Sequence, residues 1–386
     1  MSRHPPFECI ALFLQGGGAL GSYQAGVYQA LAEADLHPDW VAGISIGAIN
    51  SALIAGNAPE KRVDALRTFW EAITTIPAVP AAFMSSMLEA VEWKTDLAHG
   101  WLNQARAFTT LMGGAPDFFA PRLIPPYLSA GGFEAESFYD VSPLKATLER
   151  LVDFDRINSG PMRFSVGAVN VCSGNLTCFD TTTHVIGPEH VMASGALPPG
   201  FPAVEIDGER YWDGGLVSNT PLQWVLETRP SQDTLAFQVD LWSARGEFPR
   251  DLAGQDLRLK DIRFSSRTRA ATDQFRRAQG LRRALGHLIE RIPKGELAGL
   301  APEVKALIAE ADHKVYNIVH LIYRAKSYES SSKDYEFSRA TMEEHWAAGY
   351  EDALLTLRHP EVLQRPRTHD GVATFDFAEM MDRVRP

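Results

Sequence analysis

The chain of 386 residues is 45% apolar and 22% charged, the balance of a globular protein with a sizeable core rather than a disordered or fibrous one. Thirty-seven Lys and Arg stand against 48 Asp and Glu, and the resulting net charge of −11 argues against a general nucleic-acid-binding role. Cys9, Cys172 and Cys178 are too few and odd in number for a disulfide framework and suit a reducing compartment. No apolar run approaches the roughly 18 residues of a membrane span, and the run from Ile10 to Leu14 is too short for a secretion signal. The expectation is a cytoplasmic protein that touches a membrane, if at all, from outside.

Cys9 to Leu14 is a continuous apolar run, the pattern of a strand buried on both faces. Gly16, Gly17 and Gly18 follow at once, and from Ser22 the positions Tyr23, Val27, Ala30, Leu31 and Ala34 recur at helical spacing. Trp40 to Ile44 predicts a second strand, and Ile46 to Ala55 a helix with a small-residue face, capped by Gly56. Strands alternating with helices at this pitch imply an α/β fold, a mostly parallel central sheet with helices on both faces.

Trp70 to Asp140 changes character, holding 11 of the 38 aromatic residues in 71 positions. It reads as an insertion, with Met84, Met87, Leu88 and Val91 on one helical face and Asp117 to Gly132 irregular. A strand signal returns at Arg163 to Asn170. Hairpins are expected around Ser173-Gly174-Asn175 and at Asp207-Gly208, which suits a type I′ turn. Asp213-Gly214-Gly215 makes a sharp loop, and Thr220, Pro221 and Gln223 open a helix as N-cap, first position and capping box. Leu235 to Leu241 and Val315 to Tyr323 predict strands, and Ser338 to Leu357 a helix. Between those strands, Arg258 to Lys294 carries 11 Lys and Arg against 3 Asp and Glu, a local +8 in a chain otherwise at −19. The expected organisation is one domain over 1–245, interrupted at about 70–140 by an aromatic cap, with a C-terminal extension over 246–386 packed on it.

Gly43-Ile44-Ser45-Ile46-Gly47 places a serine between a predicted strand and a predicted helix, the context of a nucleophile elbow. Gly43 and Gly47 would let the backbone pass closely while the hydroxyl projects. The alternative is a serine that only caps its helix. Gly16-Gly17-Gly18-Ala19-Leu20-Gly21 opens the first helix, where free amides form an anion site. That anion is either a dinucleotide phosphate or the oxyanion of an acyl intermediate. A cofactor site wants a carboxylate at the end of the second strand, and Ser45 stands there instead, which favours acyl transfer. His184, His190, His313 and His320 are candidate bases by residue type alone. Asp213 is better placed, although alone it reads as an Asx-type turn.

Taken together, Phe13 to Gly26, the Ser45 elbow, and Ala193 to Pro221 with Asp213-Gly214-Gly215 resemble the patatin-like phospholipases. The resemblance implies a patatin-like α/β fold and a Ser-Asp dyad, with Ser45 as nucleophile, Asp213 as base and Gly16, Gly17, Gly18 and Gly21 as the oxyanion loop. It covers roughly residues 8 to 240, and the remainder resembles an extension found in some bacterial members. Many members carry a basic residue where Leu20 stands. An unperturbed aspartate, with a pKa near 4, is a weak base, so the amide donors are expected to carry much of the catalysis.

The expected activity is therefore hydrolysis of carboxylic esters of lipids. Carboxylesterase, thioesterase or hydroxyalkanoate oligoester hydrolase activity through the same dyad, and a non-catalytic lipid-binding role, are the alternatives. No metal or organic cofactor is expected, because the chain has no H-E-x-x-H, no cysteine pair at zinc spacing and no calcium loop. The aromatics Trp93, Trp101, Phe108, Phe118, Phe119, Phe133 and Phe138 form either a lid over an acyl pocket or part of the core. The basic residues Arg263, Arg267, Arg269, Arg276, Arg277, Arg282 and Arg283 either meet anionic headgroups or pair with the acidic surplus.

Overall fold

The computed structural model describes residues 5–74, 106–122, 136–222, 224, 231–265, 268–293, 301–326, 329 and 332–377. The expectations at Met84, Met87, Leu88, Val91, Trp93, Trp101, Phe133, Gln223 and Arg267, and for the side chain of Arg269, lie outside the described residues. In chain order the strands are β1 (Cys9–Leu14), β2 (Trp40–Gly43), β3 (Ala120–Pro121), β4 (Tyr139–Asp140), β5 (Arg163–Asn170), β6 (Leu176–Asp180), β7 (Val204–Ile206), β8 (Glu209–Asp213), β9 (Thr234–Asp240), β10 (Tyr316–Ile322) and β11 (Val372–Phe375). The helices are α1 (Ser22–Glu33), α2 (Ile46–Ala55), α3 (Arg62–Ile73), α4 (Ser142–Leu151), α5 (Phe154–Ser159), α6 (Pro188–Ser194), α7 (Leu252–Phe264), α8 (Thr268–Ile289), α9 (Pro302–Ala309) and α10 (Arg339–Leu357).

The central sheet runs β11-β10-β9-β1-β2-β5-β8-β7, with β6 paired to β5 off that path. From β11 to β5 every pairing is parallel, and the contacts of β5 with β6 and β8 are antiparallel. The continuous apolar run of β1 is explained by its position in the middle. Ile10, Leu12 and Leu14 enter the larger core under α1, α2, α3 and α10, while Cys9, Ala11 and Phe13 enter a second core that includes Phe275 of α8. Burial of each such large side chain contributes about 1.5–3 kcal/mol before the entropy cost of ordering it. Residues beyond 245 supply β10 and β11 and thus continue the same sheet.

The turn chemistry matches the conformations found. Asp207 and Gly208 both have positive φ, at 52° and 81°, as a type I′ turn between β7 and β8 requires. Gly56 does follow α2, but at φ −80°. It is there for closeness rather than left-handed geometry, since a Cβ would lie 2.6 Å from Val152 Cγ1. Trp70, at the start of the aromatic stretch, belongs to α3 and is fully buried, its indole donating to Asn50 Oδ1 at 3.0 Å. Phe118 and Phe119 are also buried, Phe138 is half-buried and Phe108 is exposed.

α1 and α10 cross at a pair of glycines. A Cβ on Gly26 would sit 1.9 Å from the Trp346 carbonyl oxygen, and one on Gly349 2.0 Å from that of Tyr23. Backbone meets backbone on both sides, so neither helix can yield by turning a side chain away. Tyr23 then donates to Asp352 at 2.7 Å and Trp346 to Gln29 Oε1 at 2.7 Å. Gly26→Ala is expected to destabilise the protein by about 2 kcal/mol or more through overpacking, read as a lower urea midpoint with an unchanged slope.

Candidate active site

Ser45 and Asp213 meet because two strands share one edge of β5. β2 pairs with β5 up to Gly43 opposite Val166, and β8 pairs with it from Asp213 opposite Ala168. β6 occupies the other edge along Ser165 to Val169, so β2 and β8 follow each other on the same side. Gly167 stands at the gap between them. A Cβ there would lie 2.6 Å from Ile44 Cδ1, and one on Gly214 would lie 2.5 Å from the Gly167 carbonyl oxygen.

The turn at Ser45 is strained. The residue takes φ 56°, ψ −123°, a region closed to most side chains at a cost of about 1–3 kcal/mol. Glycines on either side permit it, since a Cβ on Gly43 would approach the Gly47 carbonyl oxygen to 2.2 Å, and one on Gly47 that of Leu14 to 2.2 Å. Ser45 makes no side-chain cap bond to α2, which removes the helix-capping alternative. Its amide donates to Ser194 Oγ at 2.9 Å, and the Ser194 hydroxyl donates to the Gly167 carbonyl at 2.7 Å. A buried serine from α6 thereby closes the gap in the β5 edge and fixes the strained backbone.

Asp213 is 4% exposed. Its carboxylate accepts the Gly215 amide at 2.7 Å, the Asx-type turn foreseen as its simplest role. Burial pushes its pKa up to about 6, against the partial relief supplied by the Gly215 amide and by the nearby Ser45 hydroxyl. That lies above the value near 4 of an unperturbed aspartate. Desolvation makes this carboxylate a stronger base than a surface aspartate.

The glycine loop follows β1. The Gly16 amide donates to Asn219 Oδ1 at 3.0 Å, so it is already occupied. Ala19 donates to the Asp334 carbonyl and Leu20 to that of Gly17. Between them, the amides of Gly17 and Gly18 donate to no group among the described residues, and both residues line the cavity that holds Ser45. The Ile46 amide, first in α2, is equally without an acceptor among the described residues and borders the same cavity. Gly21 lies deeper, packed on Ile46 and Trp70, where a Cβ would come within 2.5 Å of Ile46 Cγ1. Leu20, where many patatin-like proteins carry a basic residue, is fully buried and takes no part in the cavity.

That cavity has a volume of about 310 Å³. Ser45, Asp213, the loop glycines and Gly215 meet an apolar wall that includes Ile49, Phe118, Phe119, Phe201, Phe264 and Phe337. Of the aromatic stretch, Phe118 and Phe119 are thus both core and cavity wall. None of His184, His190, His313 and His320 lines it. His190 is buried against Phe179 with Nδ1 accepting the Gly187 amide, and burial lowers its pKa. His184 bonds Thr183, His313 faces Glu290, and His320 lies near Thr272 and Asp240. Among the described residues no group of three or more His, Cys, Asp or Glu is arranged to hold a metal.

Sequence reasoning did not single out Ser194, Asn219, Trp242 or the Ile46 amide. Asn219 bridges the loop, accepting from the Gly16 amide and donating to the Gly16 carbonyl at 3.0 Å, while the Trp242 indole donates to that same carbonyl at 2.9 Å. Asn219 and Trp242 come from loops distant in sequence, and no local pattern marks them. At Thr220, expected as a helix cap, the hydroxyl oxygen accepts from Gln15 Nε2 at 3.4 Å. In the basic stretch, Arg276 pairs with Asp370, Arg282 with Glu310, and Arg283 donates to the His313 carbonyl. These guanidinium groups meet internal partners, as the pairing alternative expects. Among the described residues no helix is long and apolar enough to cross a membrane.

Comparison with known proteins accords with this geometry. A family model described as patatin-like phospholipase matches residues 12–226, and a second, described as patatin phospholipase, matches residues 262–369. Curated proteins give no match. Among solved structures, the chain is similar to VipD from Legionella pneumophila, with 16% identity and a TM-score of 0.37 over 96% of this chain and 72% of that one. The first family model spans more than half of the sequence and includes the elbow, the glycine loop and the Asp-Gly-Gly turn, and the chain therefore belongs to the patatin-like phospholipase family, at whose level it is a lipid acyl hydrolase.

Proposed function

We propose that the protein hydrolyses carboxylic ester bonds of lipids through a Ser45-Asp213 dyad, with the Gly16–Gly21 loop as its oxyanion site. The observation that carries this reading is a strained Ser45 that shares one apolar cavity with the buried carboxylate of Asp213 and with loop amides that have no acceptor among the described residues. An acyl chain would lie along the phenylalanine wall, with the ester carbonyl oxygen towards the Gly17 and Gly18 amides. As Ser45 Oγ attacks the carbonyl carbon, its proton passes to Asp213 and negative charge develops on the carbonyl oxygen. Amides already aimed at that position stabilise the charge without reorganising, and such donors are each worth about 3–4 kcal/mol elsewhere. Collapse of the intermediate expels the alcohol, which takes the proton from Asp213. Water, deprotonated by the same carboxylate, then releases the acid and restores Ser45.

The Ile46 amide is a third candidate donor, since the residue after a nucleophile commonly supplies one. A carboxylate with a pKa near 6 is ionised, and hence a base, at neutral pH, while retaining enough proton affinity to accept from serine. Phospholipids, acylglycerols, soluble carboxylic esters and thioesters share this chemistry, and a panel of all four identifies the preferred substrate.

Ser45→Ala is expected to remove turnover and all labelling by a fluorophosphonate probe; hydrolysis that persists in purified Ser45→Ala would overturn the dyad. Activity of the native protein is expected to fall as pH drops through about 6. Asp213→Asn should lower kcat by roughly a thousandfold or more, comparable to loss of a general base. Because folding raises the Asp213 pKa from 3.8 to about 6, the stability associated with its protonated form is fully present below 3.8 and lost as pH rises through 6. Asp213→Asn should therefore melt higher than the native protein at pH 8, by an amount on the order of 1–3 kcal/mol, and level with it near pH 4. A lower melting point at pH 8 would refute the desolvation account.

A further inference from the structure

The loop proposed to hold the oxyanion is gripped from residues well beyond the elbow. On one side of Gly17 and Gly18, the Trp242 indole and Asn219 bond the Gly16 carbonyl, and Asn219 also donates to the Phe264 carbonyl at 3.0 Å. On the other side, Ala19 donates to the Asp334 carbonyl at 2.8 Å. Gly18 has φ 56°, and a Cβ on it would lie 2.1 Å from that same Asp334 oxygen. The two unpaired amides are therefore suspended between β9's end and a segment near residue 334.

What fixes that segment is a doubled charge contact with the last turns of α7. Lys260 Nζ donates to both Asp334 oxygens, at 3.0 and 3.3 Å, and Lys333 Nζ donates to Asp261 Oδ1 at 2.9 Å. Two successive residues on each side carry the same order of charge, Lys260-Asp261 facing Lys333-Asp334 in the opposite direction, so that each lysine meets the other segment's aspartate. A single pair permits pivoting, whereas two adjacent crossed pairs define both register and orientation. The Lys333 side chain is 4% exposed, and its ammonium lies 4.9 Å from the centroid of the Trp242 ring. Trp242 in turn packs on Phe264 at 5.2 Å. The Lys260-Asp334 side chains are about a quarter exposed; a pair as buried as Lys333-Asp261 contributes little net stability, because desolvation offsets the attraction, but removing one partner leaves a costly unpaired charge that selects one geometry.

We infer that the Lys260-Asp334 and Lys333-Asp261 pairs position the oxyanion loop, fixing the Asp334 carbonyl against Gly18 and Ala19 so that the Gly17 and Gly18 amides are preorganised. The inference rests on the reading of Gly16–Gly21 as the oxyanion loop. Lys260 is a positioning residue, since it acts on the reacting atoms only through Asp334. It also gives residues 252–338 a part in the chemistry of the ester bond, distinct from the addition of strands to the sheet.

Lys260→Met and Asp334→Asn test this, the second retaining the backbone carbonyl and losing only the charge. Hydrolysis of p-nitrophenyl butyrate and inhibition by a trifluoromethyl ketone, which forms a tetrahedral adduct with a serine, are measured well below the melting point. Both variants should lower kcat by roughly ten- to a hundredfold with KM held within about twofold, and weaken the ketone by the same factor as kcat, the signature of an interaction made in the transition state. Lys260→Arg should retain most activity. Lys314→Met, which breaks the Lys314-Glu8 pair at the opposite end of the sheet, should change neither constant. Unchanged kcat and ketone affinity in either charge-removing variant, or losses that follow only the folded fraction, would overturn the inference. Failure of native Ser45 to react with a fluorophosphonate would instead refute the underlying dyad, so the two failures are separable.

Discussion

The site depends on one edge of β5 being shared in sequence by β2 and β8. Hydrogen-bond register places Gly43 opposite Val166 and Asp213 opposite Ala168, so the chain leaves β2 towards Ser45 where β8 arrives with Asp213. The junction is tight: a Cβ on Gly214 would press on the Gly167 carbonyl, and one on Gly167 would press on the Ile44 side chain. Ser194 completes the junction by bonding the Ser45 amide and the Gly167 carbonyl. The proposed dyad is thus set by backbone register, which is stiffer than any side-chain rotamer.

Burial of Asp213 links stability to chemistry. Removing a carboxylate from water costs free energy in its ionised form, and the same penalty raises its proton affinity towards the range useful to a general base. The Gly215 amide and the nearby Ser45 hydroxyl limit the rise to about 6. A fully exposed carboxylate would be too weak a base, and a buried one without donors would remain protonated at neutral pH. The Ser45 backbone carries a second local cost at φ 56°. Both are sustained by the apolar packing of α1, α2 and α10 around β1, including the glycine crossing of α1 and α10.

The residues after 245 are interleaved with the earlier part of the chain. β10 and β11 extend the sheet beyond β9, Phe264 and Phe337 form cavity wall, and the Asp334 carbonyl meets the glycine loop. The strongly basic composition of Arg258 to Lys294 has a physical use inside the molecule, since Lys260, Arg276 and Arg282 meet carboxylates of the later chain. A local charge excess therefore does not by itself designate a surface for an anionic partner.

Sequence alone determined the elements whose information is local. The apolar run of β1, the helical spacing after Ser22, the glycines flanking Ser45 and the Asp207-Gly208 turn each carry their conformation in a few neighbouring residues. Gly43, Ser45, Asp213 and the glycine loop were legible for the same reason, since tight turns leave a short signature. Tertiary structure decided the rest. The elevated pKa of Asp213 comes from burial that no neighbour in sequence reveals, Ser194 reaches the Ser45 elbow from the end of α6, and Asn219 and Trp242 reach the loop from distant segments. The aromatic residues at 118 and 119 and the crossed pairs of Lys260 and Lys333 took their roles only when distant segments packed together. Contact across more than a hundred residues is a property of the sheet order, and sheet order is set by the summed burial of both faces rather than by any motif.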